Sequence, residues 1–343
     1  MRKKLSSLRG FRFDILRCEN KLVVVIMAVL FLLPLVVKNK VTINIFTLIL
    51  LYIILVSSLN VVNGYSSQFN VGQAGFYCIG AYTAAILATR FSISFWLLLP
   101  ISGAVAAAAS LLLSIPTAKL RGMYFTIVTL GFSEIVRQLC LNWTDLTRGP
   151  RGISGIPAPE LFGIEYSRNI FFYYVTFALA AVMLMCTKRV LDSRVGRAWR
   201  SIREDDAAAS SLGVETGKYK MMNLAYSAFW AGAAGCVYVF FQRFVSPDSF
   251  TLDESFNILA MNIIGGQGTL LGPIVGAVVI NLITEMFRSA LQYRMLFYSA
   301  LIIVMMWLRP QGLVGAINRS DPGEKAAQKG KGRAAARQGG ADA

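Results

Sequence analysis

The sequence predicts an all-α, polytopic membrane helix bundle of about ten transmembrane helices, some of them broken or re-entrant. Three observations carry this. Hydrophobic residues make up 55% of the 343 and charged residues only 15%. The apolar residues lie in long uncharged runs that a soluble core could not hide. The basic residues fall between and beyond those runs, and their distribution is one-sided.

Charge-free runs occupy 22–37, 41–62, 74–89, 91–118, 170–187, 221–241, 255–284 and 295–308. Most can cross roughly 30 Å of hydrocarbon at about 1.5 Å per helical residue. The short run 295–308 needs snorkelling flanks or a thinned bilayer. The run 22–37 follows a basic stretch but lacks a small-x-small cleavage site, and another run starts at Val41, so it reads as a retained first span. Residues 122–141 form a further span although they contain Glu134 and Arg137. These two lie three apart and share a helical face, as do Glu285 and Arg288. Isolated charges are costly in lipid, so Glu134 and Arg137 should face protein, water or each other.

The run 255–284 is too long for one ordinary span and is interrupted by Gly265, Gly266, Gly268, Gly272, Pro273 and Gly276. It reads as two crossings joined by a tight glycine-rich break, which completes ten spans. Gly268, Gly272 and Gly276 repeat every four residues and form one smooth stripe on a helix. Two readings stay open for them, close helix packing or a broken helix lining a path through the bilayer. Gly72, Gly75 and Gly80 invite the same two.

With the N-terminus inside, the inner segments 1–21, 118–121, 188–220 and 309–343 hold 24 of the 34 Lys and Arg, and the outer segments hold nine. Both termini are therefore predicted to be cytoplasmic. The organisation that follows is a basic cytoplasmic N-terminus (1–21), a transmembrane domain (22–317) with a long inner loop at 188–220, and a disordered basic cytoplasmic tail (318–343). The tail reads either as solvated or as touching anionic lipid through Lys325, Lys329, Lys331, Arg333 and Arg337.

Several chemistries are excluded. The formal charge of +16 would suit nucleic acid, but the basic residues here flank membrane runs rather than interleave with aromatics on a folded face. With no histidine, a Ser-His-Asp or Cys-His arrangement cannot exist. The five cysteines (Cys18, Cys78, Cys140, Cys186, Cys236) are spread singly without a CxxC, and read as apolar filler rather than metal ligands or a disulfide. The stretch Gly213 to Tyr219 only superficially resembles a phosphate loop. Three residues separate Gly213 from Gly217 where four are needed, and Tyr219 follows Lys218 where Ser or Thr should. No catalytic residue, metal or cofactor is expected, and any ATP is hydrolysed by another chain.

Within the inner loop, Asp205 or Asp206 can cap a short helix running through Ser211, with Gly213 as its stop. Flanked by Arg200, Arg203 and Glu204, that helix suits the docking of a cytoplasmic partner. An ordinary basic loop is the alternative.

At these residues the chain resembles the LivM-type permeases of branched-chain amino acid ABC importers, a family with related urea and short-amide permeases. The likeness runs in order through Gly72-Gln-Ala-Gly-Phe, Gly80-Ala-Tyr, Leu120-Arg-Gly-Met-Tyr-Phe, Thr129-Leu-Gly-Phe-Ser-Glu134, Gly196-Arg-Ala-Trp-Arg-Ser-Ile-Arg-Glu-Asp, Gly265-Gly-Gln-Gly-Thr, Gly272-Pro and Arg309-Pro-Gln-Gly-Leu. The resemblance implies a bacterial inner-membrane subunit with an importer-permease architecture. Its implied partners are a second homologous permease, two cytoplasmic ATP-binding subunits and a periplasmic solute-binding protein. It also implies alternating access, with coupling to the ATPases at Arg200, Arg203, Glu204, Asp205, Asp206, Ala207 and Gly213. Ala207 stands where the family's coupling motif has Glu. Candidate translocation residues are Gln73, where many relatives carry His, with Gly75, Glu134, Arg137, Asn262, Gly265 and Gly266. Arg148 and Arg151 depart from the family's usual outer segment and become candidates for docking the binding protein. The alternative from another class is an ion- or proton-coupled transporter working without an ATPase, with Glu134 as the titrating group. A membrane scaffold without transport is a third reading.

Overall fold

The structure is a computed structural model that describes residues 26–27, 30–34, 39–117, 120, 122–157, 168–286, 303 and 312–314. The expected N-terminal segment 1–21, most of the first span, Arg288, all of the tenth span but Ile303, and the tail 318–343 lie outside the described residues.

The described chain is a helical bundle. The long helices are α1 (Lys40–Tyr65), α2 (Gln73–Phe91), α3 (Phe95–Thr117), α4 (Met123–Asn142), α6 (Arg168–Asp192) and α9 (Thr216–Gln242). Short α5 (Thr144–Thr147) follows α4, and α7 (Arg194–Glu204) and α8 (Asp206–Ser211) follow α6. The last pair is α10 (Leu252–Gly265) and α11 (Gly272–Met286). Among the described residues, four helices are long and apolar enough to cross a membrane: α1, α3, Ile170–Asp192 of α6, and α9. The expected two crossings in 255–284 are helices of 14 and 15 residues. At about 1.5 Å per residue they span roughly 21 and 22 Å, less than the hydrocarbon thickness. Within the described residues they form a helical hairpin, and ten full spans do not follow from those residues.

Helix α1 is the buried axis, and from Ile49 to Tyr65 only Tyr52 is not fully buried. Helix α9 packs on α1, α2 and α3. This closeness is made by glycine. A Cβ on Gly80 would fall inside the backbone of Gly232, and one on Gly235 would stand 2.6 Å from the Ala81 nitrogen. Without a hydrophobic drive between helices in lipid, such backbone approach supplies the packing. Buried hydroxyls in these helices donate to their own preceding turn, as in Thr47 to the Ile43 carbonyl (2.8 Å), Ser102 to Leu98 (2.7 Å) and Thr176 to Phe172 (2.7 Å). These three hydroxyl hydrogens are thereby satisfied within their own helices.

The segment 66–72 does not leave the bundle after α1. It doubles back, and Gln73 at the start of α2 bonds Ser58, seven residues before the end of α1. Helix α2 thus begins about 10 Å back along α1.

The connecting segments gather at two ends. At one, Arg90 donates to the Asp145 carbonyl (2.6 Å), and β1 (Ile153–Ser154) pairs antiparallel with β2 (Phe244–Val245). At the other, the 266–271 turn meets Gly64, Arg203 and Gly312. The two ends correspond to the segments that the charge pattern assigns to opposite sides.

Candidate functional site

The first component is the 193–213 segment. Ser193 caps α7 by accepting from the Val195 N–H (3.2 Å). Of the two aspartates, Asp205 is the cap of α8, its Oδ1 accepting from the N–H groups of Ala207 (2.8 Å) and Ala208 (3.0 Å). Gly213 then takes a left-handed φ of +84°, which ends the helix. Asp206 turns the other way and accepts from Lys220 Nζ at 2.8 Å, at the start of α9. Trp199, buried beneath α7, donates its indole N–H to the Tyr219 carbonyl (2.9 Å) and packs in a cluster with Val61, Tyr65 and Leu191. The segment is therefore fastened to α1 and α9. Its outward face presents Arg200, Glu204, Ala207, Ala208 and Leu212, the last 84% exposed.

Arg203 reaches toward the second component, the glycine break. A Cβ on Gly268 would stand 2.5 Å from Arg203 Nη1, so the guanidinium lies against that turn. The break is built to be tight. Gly266 and Gly268 have φ of +111° and +77°. Thr269 Oγ1 donates to the Gly266 carbonyl (3.1 Å) and accepts from Gly272 N–H (2.9 Å). Asn60 of α1 accepts from Gly268 N–H (2.8 Å) and donates to the Thr269 carbonyl (2.7 Å). Gly312 packs on Gly266, and Leu313 and Val314 donate to the Ile264 (2.8 Å) and Gly265 (3.1 Å) carbonyls. Gly268 lies in the turn, outside both helices, so Gly268, Gly272 and Gly276 do not form one helical stripe. Gly265, Gly272 and Gly276 allow backbone-on-backbone packing of α10 and α11, while the chain is broken between them.

The third component is a polar column inside the bundle. Gln73 is fully buried, and its Nε2 donates to Ser58 Oγ (2.7 Å) and Ser227 Oγ (3.3 Å) while Oε1 accepts from Asn70 Nδ2 (3.2 Å). Asn70 N–H donates to Asn63 Oδ1 (2.9 Å), and Ala74 N–H to Ser255 Oγ (3.2 Å). Gly75 packs directly on Ser133 of α4. Asn262, two turns beyond Ser255, is buried with neither amide atom bonded among the described residues. Such a group lacks about 1–3 kcal/mol of compensation.

Glu134 and Arg137 form a forked pair on α4, with Arg137 Nη2 to Oε1 at 2.7 Å and Nε to Oε2 at 3.1 Å. Gln138 Nε2 also donates to Oε1 (2.8 Å). Their side chains are 31% and 21% exposed. Glu134, with Gly131, Gln138 and Asn142, lines an open, roughly 500 Å³ hollow on the surface of α4. Few α4 residues are buried, and Ile127, Ile135 and Leu139 face outward. Arg148 and Arg151 are exposed on the platform at the β1–β2 end, held by Thr147 Oγ1, which donates to the Cys140 carbonyl (2.7 Å). Cys78 and Cys140 sulfurs touch at 3.7 Å as free thiols. The described residues hold no cluster of metal-ligating side chains.

Sequence reasoning did not single out Asn60, Trp199 or Leu212. Leu212 had a legible signal, being the one large apolar residue beside the helix stop in a polar loop.

Comparison with known proteins places the whole arrangement. The permease component of branched-chain amino acid transport systems, as a family, matches residues 41–306. The high-affinity branched-chain amino acid transport system permease protein LivM of Escherichia coli K12 is 41% identical over 340 residues, covering 91% of this chain and 80% of its own. LivM of Salmonella typhimurium is 42% identical over 296 residues, 80% of this chain and 70% of its own. The high-affinity branched-chain amino acid transport system permease protein LivH of Escherichia coli K12 is 24% identical, over 77% of this chain and 91% of its own. No solved structure matches. The chain belongs to the branched-chain amino acid transport permease family.

Proposed function

We propose that the chain is the LivM-like permease subunit of an ATP-binding-cassette importer that moves branched-chain amino acids from periplasm to cytoplasm. The observation that carries this is the docking segment. A short capped helix, fastened by Trp199 and by Asp206–Lys220, holds Leu212 outward, while Arg203 of the same segment rests on the glycine break. A push on α8 from an ATPase would thus be delivered to the hairpin inside the bundle, as a two-state rocking motion requires. An ion-coupled transporter has no use for such a surface, and the Arg137 fork occupies both oxygens of Glu134.

The remaining partners follow from the other surfaces. The polar stripe Gly131, Glu134, Gln138 and Asn142 on an outward-facing membrane helix must be covered by protein or water. A second homologous permease across a shared path covers it. Asn262 offers an unbonded amide on the inner wall of that bundle, and Arg148 and Arg151 meet acidic residues of a solute-binding protein. Both termini are then cytoplasmic.

In the assembled importer, Leu212→Asp should cut substrate-stimulated ATP hydrolysis about tenfold, the effect of losing one apolar interface anchor. The unfolding transition of the isolated chain should not move, because the side chain is already in solvent. Unchanged stimulation would overturn the coupling assignment. Solute carried by the chain alone under an ion gradient would overturn the importer reading.

A further inference from the structure

Helix α6 carries an exposed stripe that changes character along its length. Ala178, Val182 and Met185 stand on it, four and three residues apart as one helical face requires, and Arg189 follows four residues later. All four are exposed, and so is Lys188 beside Arg189 in the same last turn. The apolar part belongs to Ile170–Asp192, a segment long and apolar enough to cross a membrane, and the cations stand where that segment ends. Val182 and Met185, 44% and 58% exposed, therefore offer their flank to acyl chains.

The chain then turns sharply. A Cβ on Gly196 would fall inside the Leu191 backbone, so the first turn of α7 lies directly on the last turn of α6. Trp199 of α7 packs with Leu191 and with Val61 and Tyr65 of α1, which lays α7 against the end of the bundle. Exposed Arg194 and Arg197 are thereby brought to the same junction as Lys188 and Arg189. Arg197 Nη1 donates to the Asp192 carbonyl (3.2 Å), which fixes its guanidinium there. From Lys188 to Asp192 the helix rises about 6 Å, within the roughly 5–7 Å of headgroup layer on each side of the hydrocarbon. Long basic side chains can extend the short remaining distance while their stems lie on apolar surface.

The junction is also short of acids. Within 188–197 the four cations meet a single carboxylate, that of exposed Asp192. Asp206 faces Lys220 at 2.8 Å and Glu215 faces Lys218 at 3.9 Å, so these neighbouring charges are matched locally. Glu204 and Asp205 stand at the far end of α7, about 10 Å beyond Arg197. Among the described residues none of the four cations is in an ion pair. A merely solvated basic loop would need neither the apolar stripe below nor the fixed guanidinium. The exposed face assigned to ATPase docking, Ala207, Ala208 and Leu212, lies on the following helix and is uncharged.

We propose that Lys188, Arg189, Arg194 and Arg197 hold the phosphate of an anionic phospholipid whose acyl chains lie along Val182 and Met185. A cation cluster next to a membrane span attracts such headgroups, and an arginine fork can donate two parallel bonds to one phosphate. The lipid holds the α6–α7 junction from outside, while Trp199 holds it from within.

The test uses the purified full chain in detergent micelles, with lipids added in competition and the retained lipid read by native mass spectrometry. Phosphatidylglycerol should be retained over phosphatidylcholine of the same acyl chains about tenfold, and that preference should shrink as salt is raised. Arg194→Gln with Arg197→Gln should remove most of the preference. Lys188→Gln with Arg189→Gln should do the same while leaving the Arg197 bond to the Asp192 carbonyl in place. Removing two cations at the opposite end, Arg148→Gln with Arg151→Gln, should change it by less than about twofold, because those charges lie beyond the screening length.

Equal retention of the two lipids, or equal losses from the two ends, overturns the proposal. So does an unchanged preference in both junction variants, and if those variants also fail to assemble with ATPase subunits, the basic face is a protein surface instead. Competition by glycerol 3-phosphate as strong as that of the lipid sinks the lipid assignment, since a free phosphate has no use for the apolar stripe.

Discussion

Replacing Gly268 with alanine tests the link between the docking segment and the break. The native residue has φ of +77°, and its N–H donates to Asn60 Oδ1 at 2.8 Å. A Cβ there would stand 2.5 Å from Arg203 Nη1 and 3.0 Å from the Gly64 carbonyl. The left-handed backbone costs an L-residue about 1–2 kcal/mol. Relieving the overlap means displacing the guanidinium or loosening the turn that Asn60 holds, which costs about 1 kcal/mol more. Gly268→Ala should therefore destabilise the chain by about 2–3 kcal/mol, measured by equilibrium unfolding in mixed micelles. In an Arg203→Ala background the overlap with Nη1 is gone and only the backbone part should remain, leaving a coupling energy of about 1 kcal/mol between the sites. A Gly268→Ala protein within about 0.5 kcal/mol of wild type, the scatter of an innocuous surface change, would refute the strained turn. The same full cost in both backgrounds would refute the Arg203 contact.

Three further outcomes follow from the packing. Gly80→Ala places a methyl group inside the Gly232 backbone, with no flexible atom to give way, and should cost about 3 kcal/mol, read as loss of folded yield and a lowered unfolding midpoint. Lys220→Met removes the ammonium 2.8 Å from the Asp206 carboxylate, whose side chain is 18% exposed, and should cost about 2 kcal/mol, and adding Asp206→Asn should recover more than half of that in a double-mutant cycle. Trp199→Phe keeps the ring but loses the bond to the Tyr219 carbonyl, about 1–2 kcal/mol, and should speed amide hydrogen exchange across 194–211 while lowering ATPase stimulation.

Local chemistry was legible in the sequence where a residue acts on its own neighbours. The α8 cap at Asp205, the stop at Gly213, the break between Gly265 and Gly272, and the Glu134–Arg137 pair all involve separations of a few residues. What was not legible depends on distant partners. Gln73 stood out only through resemblance, because Ser227 lies 154 residues away, and nothing near Arg203 points to Gly268. Gly75 reads equally as path or packing until Ser133 is seen beneath it. The way the 255–284 run folds was not legible for a related reason. A run of thirty uncharged residues fixes composition, whereas its break into two helices is held by the Asn60 bonds and by the 312–314 segment that packs on it.

The two-residue ladder joining Ile153 to Val245 and Ser154 to Phe244 is the smallest element among the described residues. It staples the loop after α4 to the loop after α9, and Gly152 is wedged against the Val245 backbone beside it. Those two helices consequently share a common pivot at one face of the bundle. Any divergence between them is a scissor motion about that staple, with its widest excursion at the opposite face, where Arg203 meets the hairpin turn.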